Sequence, residues 1–137
     1  MSAKEDYLRI IYELGGEKVK SIDIAKKLGI SKPSVSEMLK KLAKDKLIES
    51  ESYGKIFLTK EGIKEAKKIA DRHHIIKKFA RHILKHKEDK VHDIAHKLEH
   101  HFSPESIKKL ESWLDKNLDK LEALEAIEKP SLPSYIG

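Results

Sequence analysis

The chain has 137 residues, no cysteine, 38% charged residues and a net charge of +6. That composition excludes disulfides and thiolate metal sites, leaving nitrogen and oxygen as metal donors. It also favours an anionic partner, nucleic acid ahead of an acidic membrane. No apolar run approaches the ~20 residues that span a bilayer, and Ala3-Lys4-Glu5-Asp6 opens no signal-peptide core, so a cytoplasmic protein of one or two small domains is expected.

Residues 3–14 place Tyr7, Ile10, Ile11 and Leu14 at helical spacing, and Gly15-Gly16 ends the run. Ser21 is the expected cap of a short second helix with Ile22, Ala25 and Leu28 inward, and Gly29 turns the chain. Ser31 then caps a third helix, with Pro33 in its first turn, where a missing N–H costs little. Val35, Met38, Leu39 and Leu42 form its apolar stripe. A short helix, a glycine turn and a capped helix make a helix-turn-helix. The second helix carries Lys32, Ser34, Ser36, Glu37, Lys40, Lys41 and Lys44 off its stripe, the polar, basic outer face that base reading requires.

Beyond Leu47, residues 48–52 alternate weakly, Tyr53-Gly54-Lys55 turns, and Ile56-Phe57-Leu58 returns as a second strand. This predicts a two-stranded wing with a basic tip at Lys55, and Thr59 caps the next helix. The expected DNA face is Ser31, Lys32, Pro33, Ser34, Ser36, Glu37, Lys40, Lys41 and Lys55. The competing reading is a winged helix used for protein–protein contact, because fold does not fix function.

Residues 60–85 read as one long helix with Ile63, Ala66, Ile69, Ala70, Ile76, Phe79, Ala80 and Ile83 inward. A second helix runs from about Glu88 to His101, and Ser103-Pro104 restarts the chain into a third over 105–127. Pro130 and Pro133 predict an extended tail. The expected architecture is mainly α: a winged helix-turn-helix over 1–62, then an all-α domain over 63–137.

All eight histidines lie between 73 and 101. On a helix of about 100° per residue, His92, His96, Glu99 and His100 share one arc, while Val91, Ile94 and Leu98 lie opposite. Neutral imidazole and carboxylate are first-row transition-metal ligands, and i+3 and i+4 spacings bring several of them to one ion. A solvated polar face is the bland alternative for any one of these residues; four in one arc favour a metal. His82, His86 and His101 fall off that arc and read as surface residues, and His74 is ambiguous.

A basic winged helix followed by a helical domain with His-x-x-Glu-His resembles the diphtheria-toxin-repressor family, including its short manganese-regulator branch. The resemblance rests on 6–12, Ser31 to Glu37, Arg72-His73, and 90–100. It implies that His96, Glu99 and His100 are the main ligand triplet, joined by Asp6 from the first helix, and that His73 and His92 belong to a second metal position. It also implies a form without the longer branch's C-terminal Src-homology-3-like domain. Three positions depart from the pattern. His96 stands where Cys or Glu is usual, Arg9 where the manganese branch has a carboxylate ligand, and Lys77 where the iron branch has a carboxylate.

The function this implies is a metal-dependent transcriptional regulator, a repressor of metal-uptake genes. It would act as a homodimer on double-stranded operator DNA, with Fe2+ or Mn2+ as co-repressor and Co2+, Zn2+ or Ni2+ as substitutes in vitro. The alternative is a regulator of the same architecture that senses a small organic ligand. A metalloenzyme is disfavoured, because no further carboxylate is placed as a general base and a winged helix has no use in one. Membrane and small organic substrates are not expected partners.

Overall fold

The computed structural model describes residues 3–51 and 53–136, with side chains as far as Leu124. It divides into two units, Met1–Asp71 and Arg72–Gly137.

In the first unit, α1 (Ala3–Glu13) buries Tyr7, Leu8, Ile10 and Ile11. The short α2 (Ser21–Leu28) starts with Lys20 at the N-cap and no side-chain cap, so Ser21 is its first helical residue and not the cap expected. Its inward stripe is Ile24, Ala25 and Leu28, while Ile22, expected inside, is 39% exposed. Two residues from Ile24 is about 200° around a helix, so only one of the pair can face the core. Gly29 ends α2 with φ 65°, the left-handed conformation that glycine adopts without strain.

Next, α3 (Lys32–Lys44) is capped as expected, the Ser34 N–H donating to Ser31 Oγ at 3.3 Å. Val35 and Leu42 are buried, with Met38 and Leu39 packed against the same core. The wing consists of β2 (Ile48–Ser50) and β3 (Lys55–Leu58), antiparallel with Ile48 opposite Leu58 and Ser50 opposite Ile56. A third strand, β1 (Val19–Lys20), pairs with the other edge of β3, giving the order β1-β3-β2. Two residues are too few to show a period of two, so the sequence carries no signal for β1.

Thr59 joins the wing to the next helix. Its hydroxyl donates to the Lys46 carbonyl at 2.7 Å and accepts from the Gly62 N–H at 3.0 Å. Gly62 is a glycine for space, since a Cβ there would lie 1.9 Å from the Leu47 carbonyl oxygen.

The boundary between the units falls inside α4 (Lys60–Lys78). Ile63, expected on its inner stripe, is 46% exposed, whereas Ala66 and Ile69 are buried. A π-helical turn over Phe79–Ile83 prolongs α4 and is closed by Leu84 N–H to the Phe79 carbonyl at 3.1 Å. The wider turn takes one extra residue and so rotates the side chains beyond it about the helix axis. His82, expected on the surface, is buried; it stands seven residues from buried Ile75, on the same side of the helix.

In the second unit, α5 (Glu88–Leu98) ends earlier than expected, in a tight 3-10 turn over Glu99–His101. Ser103 caps α6 (Pro104–Ile136) by accepting from the Ser106 N–H at 3.0 Å. Ile75, Ile76, Ala80, Val91, Ala95 and Leu114 form the apolar core of this unit. The backbone stays helical through Pro130 and Pro133, where an extended tail was expected. The run 121–129 is built of strong helix formers, and the φ fixed by proline is itself helical.

Candidate metal centre and nucleic-acid interface

The last turn of α5 and the 3-10 turn after it bring the predicted triplet together. His96, Glu99 and His100 each offer one donor atom, and these atoms lie within 4.8 Å of one another. Residues three and four apart are neighbours on a helix surface, so His96 meets Glu99 and His100 where α5 passes into that turn. Glu99 is 2% exposed, and its Oε1 lies 3.6 Å from Nε2 of His100. Two imidazole nitrogens and a carboxylate oxygen are a donor set suited to a divalent first-row ion, with coordination positions left for other ligands. The described residues contain no other cluster of this kind.

The other half of the Glu99 carboxylate is held by His73, from α4. Its Nδ1 lies 3.1 Å from Glu99 Oε2, and its Nε2 lies 3.2 Å from Nδ1 of His92 on α5. His73 is buried and His92 is exposed. The chain therefore places His73, His92, Glu99, His96 and His100 in one connected group. Burial pushes the Glu99 carboxyl up. The hydrogen bond from His73 and the positive charges of His73, Arg72 and His100 outweigh it, holding the group below the usual range.

Asp6 lies on α1, in the first unit. Its carboxylate is partly exposed, with Oδ1 3.9 Å from Nη2 of Arg9. Lys77, on α4, is half-buried.

The predicted nucleic-acid face lies wholly in the first unit. Ser31, Lys32, Pro33, Ser34, Ser36, Glu37, Lys40 and Lys41 are all exposed, and Lys55 is half-buried on β3. A cleft of about 270 Å³ between α3 and the wing is lined by Lys32, Ser36, Lys40, Ser50 and Gly54, with Ser21 beside them. Lys20 stands directly opposite Lys55 across the β1–β3 pair. Like charges facing each other across strands are unfavourable, and an anion between them relieves the repulsion. The sequence does not bring Lys20 and Ser21 next to this face because β1 is too short to be recognised.

A winged helix with a basic outer face, followed by a helical unit with a three-donor ion cradle, defines a metal-responsive DNA-binding protein. The chain belongs to the iron-dependent repressor family: its N-terminal DNA-binding domain matches residues 1–56, and its metal-binding and dimerisation domain matches residues 59–119. An uncharacterised helix-turn-helix-type transcriptional regulator of Methanocaldococcus jannaschii is 38% identical over 120 residues, 85% of this chain and 96% of that protein. The transcriptional regulator MntR of Bacillus pumilus is 35% identical over 130 residues, 91% of this chain and 90% of its own. Among solved structures, the manganese regulator SloR superposes with a TM-score of 0.73 at 37% identity over 84% of this chain. This chain spans 54% of the SloR chain, about half its length. No helix among the described residues is long and apolar enough to cross a membrane.

Proposed function

We propose that this protein is a metal-dependent transcriptional regulator that represses metal-uptake genes by binding operator DNA as a homodimer. Fe2+ or Mn2+ is its co-repressor. The observation that carries the reading is the convergence of His96, Glu99 and His100 in a chain whose other unit exposes a basic recognition helix. In this reading the triplet holds the ion and Asp6 is the first unit's ligand, so occupancy of the ion biases the DNA-binding unit. His73 and His92 serve a second metal position that meets the first at Glu99. Two imidazoles let Co2+, Ni2+ and Zn2+ compete well in vitro, following the general affinity order for nitrogen and oxygen sites. Lysines supply most of the affinity through phosphates, and Ser31 to Glu37 lie nearest the bases.

The ion acts by shifting a population. It tightens DNA binding only to the extent that it binds the DNA-competent form better than the incompetent one. Two recognition helices of a dimer must match half-sites about 34 Å apart or a multiple of that. The deciding experiment is a gel shift on the DNA upstream of the protein's own gene, with the metal-free protein and with each divalent ion. Retardation that depends on Fe2+ or Mn2+ supports the reading; equal retardation with and without metal overturns it.

A further inference from the structure

Arg9 is 3% exposed and lies on α1 between two carboxylates, one turn from each. Its Nη1 donates to Glu13 Oε1 at 3.0 Å, a hydrogen-bonded ion pair. Its Nη2 lies 3.9 Å from Asp6 Oδ1, an ion pair too long for a hydrogen bond. Its Nε is buried with no hydrogen-bond partner. A buried charge with one nitrogen unsatisfied is costly, so the feature to explain is the charge of Arg9 and the two carboxylates it faces.

We propose that Arg9 is a built-in competitor for the Asp6 carboxylate, setting how much metal is needed before Asp6 is given up to an ion. This rests on the reading of Asp6 as a metal ligand. The two partners of Arg9 divide the work. Glu13 is close, hydrogen-bonded and on the same helix face, so it keeps the guanidinium neutralised whether or not Asp6 is engaged. Asp6 is the more distant partner of Arg9, and on this reading it exchanges a monovalent cation for a divalent one. An ion that takes Asp6 must displace the guanidinium from it, so the Arg9–Asp6 attraction is lost on metal binding. Arg9 thus lowers metal affinity at Asp6 and makes response require a higher free-metal level.

The opposite roles of Arg9 and Glu13 make the test. Mn2+ alone is titrated by calorimetry, and the Mn2+ concentration for half-maximal DNA retardation is measured on the same full-length samples. Arg9→Gln should tighten Mn2+ binding by about tenfold or more and lower the half-maximal concentration to match. Arg9→Lys, which keeps the charge, should stay within about threefold of the unmodified chain. Glu13→Gln alters an exposed side chain and should leave the fold intact. It should weaken Mn2+ binding, because Arg9 then leans wholly on Asp6. In an Asp6→Ala background, Arg9→Gln should change nothing further.

Unchanged affinity in Arg9→Gln with native circular dichroism overturns the proposal. So does tightening that persists in the Asp6→Ala background, or an equal gain from Arg9→Lys. If Arg9→Gln fails to fold, Glu13→Gln decides, and unchanged or tighter binding overturns it. If Asp6→Ala responds to Mn2+ like the unmodified chain, the ligand role of Asp6 falls and this inference falls with it. If Asp6→Ala loses the response while Arg9→Gln and Glu13→Gln keep it, this inference alone fails.

Discussion

His73 and Glu99, 26 residues apart in the chain, share a 3.1 Å hydrogen bond inside the second unit, and both are almost wholly buried. A carboxylate only accepts, so the proton of this bond sits on Nδ1 of His73. The bond fixes Glu99 Oε2 and leaves Oε1 on the side of His100. Replacing His73 by Phe takes from a buried carboxylate its closest donor. Thermal unfolding should show a loss of about 2–4 kcal/mol, and calorimetry a metal affinity weaker by roughly 10–100-fold. His73→Gln, which keeps a donor, should recover part of both. Equal effects from the two variants would mean that volume, not the hydrogen bond, matters at this position.

In the proposed mechanism, the donor triplet and Asp6 should separate in their effects. Replacing His100 by Ala removes a donor, so metal affinity and metal-stimulated DNA binding should fall together. Replacing Asp6 by Ala leaves three donors in the second unit. Metal binding should persist, somewhat weakened, while most of the metal's effect on DNA affinity is lost. Calorimetry and gel shifts on one sample check this, and a wild-type degree of stimulation in Asp6→Ala would refute the coupling role.

Metal binding and stability should both respond to acid, through separable effects. Metal binding should weaken as pH falls, because protons compete with the ion for its donors. The stability effect carried by Glu99 is distinct, because its folded pKa lies below its ordinary value of 4.5. A lowered carboxylate adds stability above the unfolded value and loses it as pH falls through the folded one. The metal-free protein should therefore keep this contribution down to about pH 4.5 and lose it in more acid solution. Denaturant titrations and metal titrations at matched pH values resolve the two steps.

On the DNA side, replacing Lys40 and Lys41 by Ala should weaken binding to any sequence and flatten the salt dependence by about two units of slope. Replacing Ser34 or Ser36 should change sequence preference more than salt slope. An unchanged slope in the double lysine variant would place the DNA face elsewhere. Lys20→Ala should act as a lysine of the same kind, since it faces Lys55 across the sheet.

The wing-to-α4 junction should be intolerant of added bulk. Gly62→Ala forces a Cβ against the Leu47 carbonyl, so a loss of at least about 2 kcal/mol is expected in denaturant unfolding. Thr59→Ala removes a helix cap and the bond to Lys46 together, and should cost about 1–2 kcal/mol. A neutral Gly62→Ala would show that the junction relaxes.

Much of the first unit was legible because its signals are local. Ser31 with Pro33, the glycine turn at Gly29 and the stripe from Val35 to Leu42 each act over one or two turns of chain. The His96-Glu99-His100 spacing was legible for the same reason: i+3 and i+4 neighbours meet whatever the rest of the chain does. Tertiary structure decided what depends on distant partners. Strand β1 exists only because β3 offers it an edge, Ile24 and not Ile22 faces inward because of what α2 packs against, and a π turn that no periodicity announces prolongs α4. The connection of His73 to Glu99 spans 26 residues. Periodicity places each residue on a face of its own helix, but only packing of α4 against α5 brings those faces within hydrogen-bonding distance.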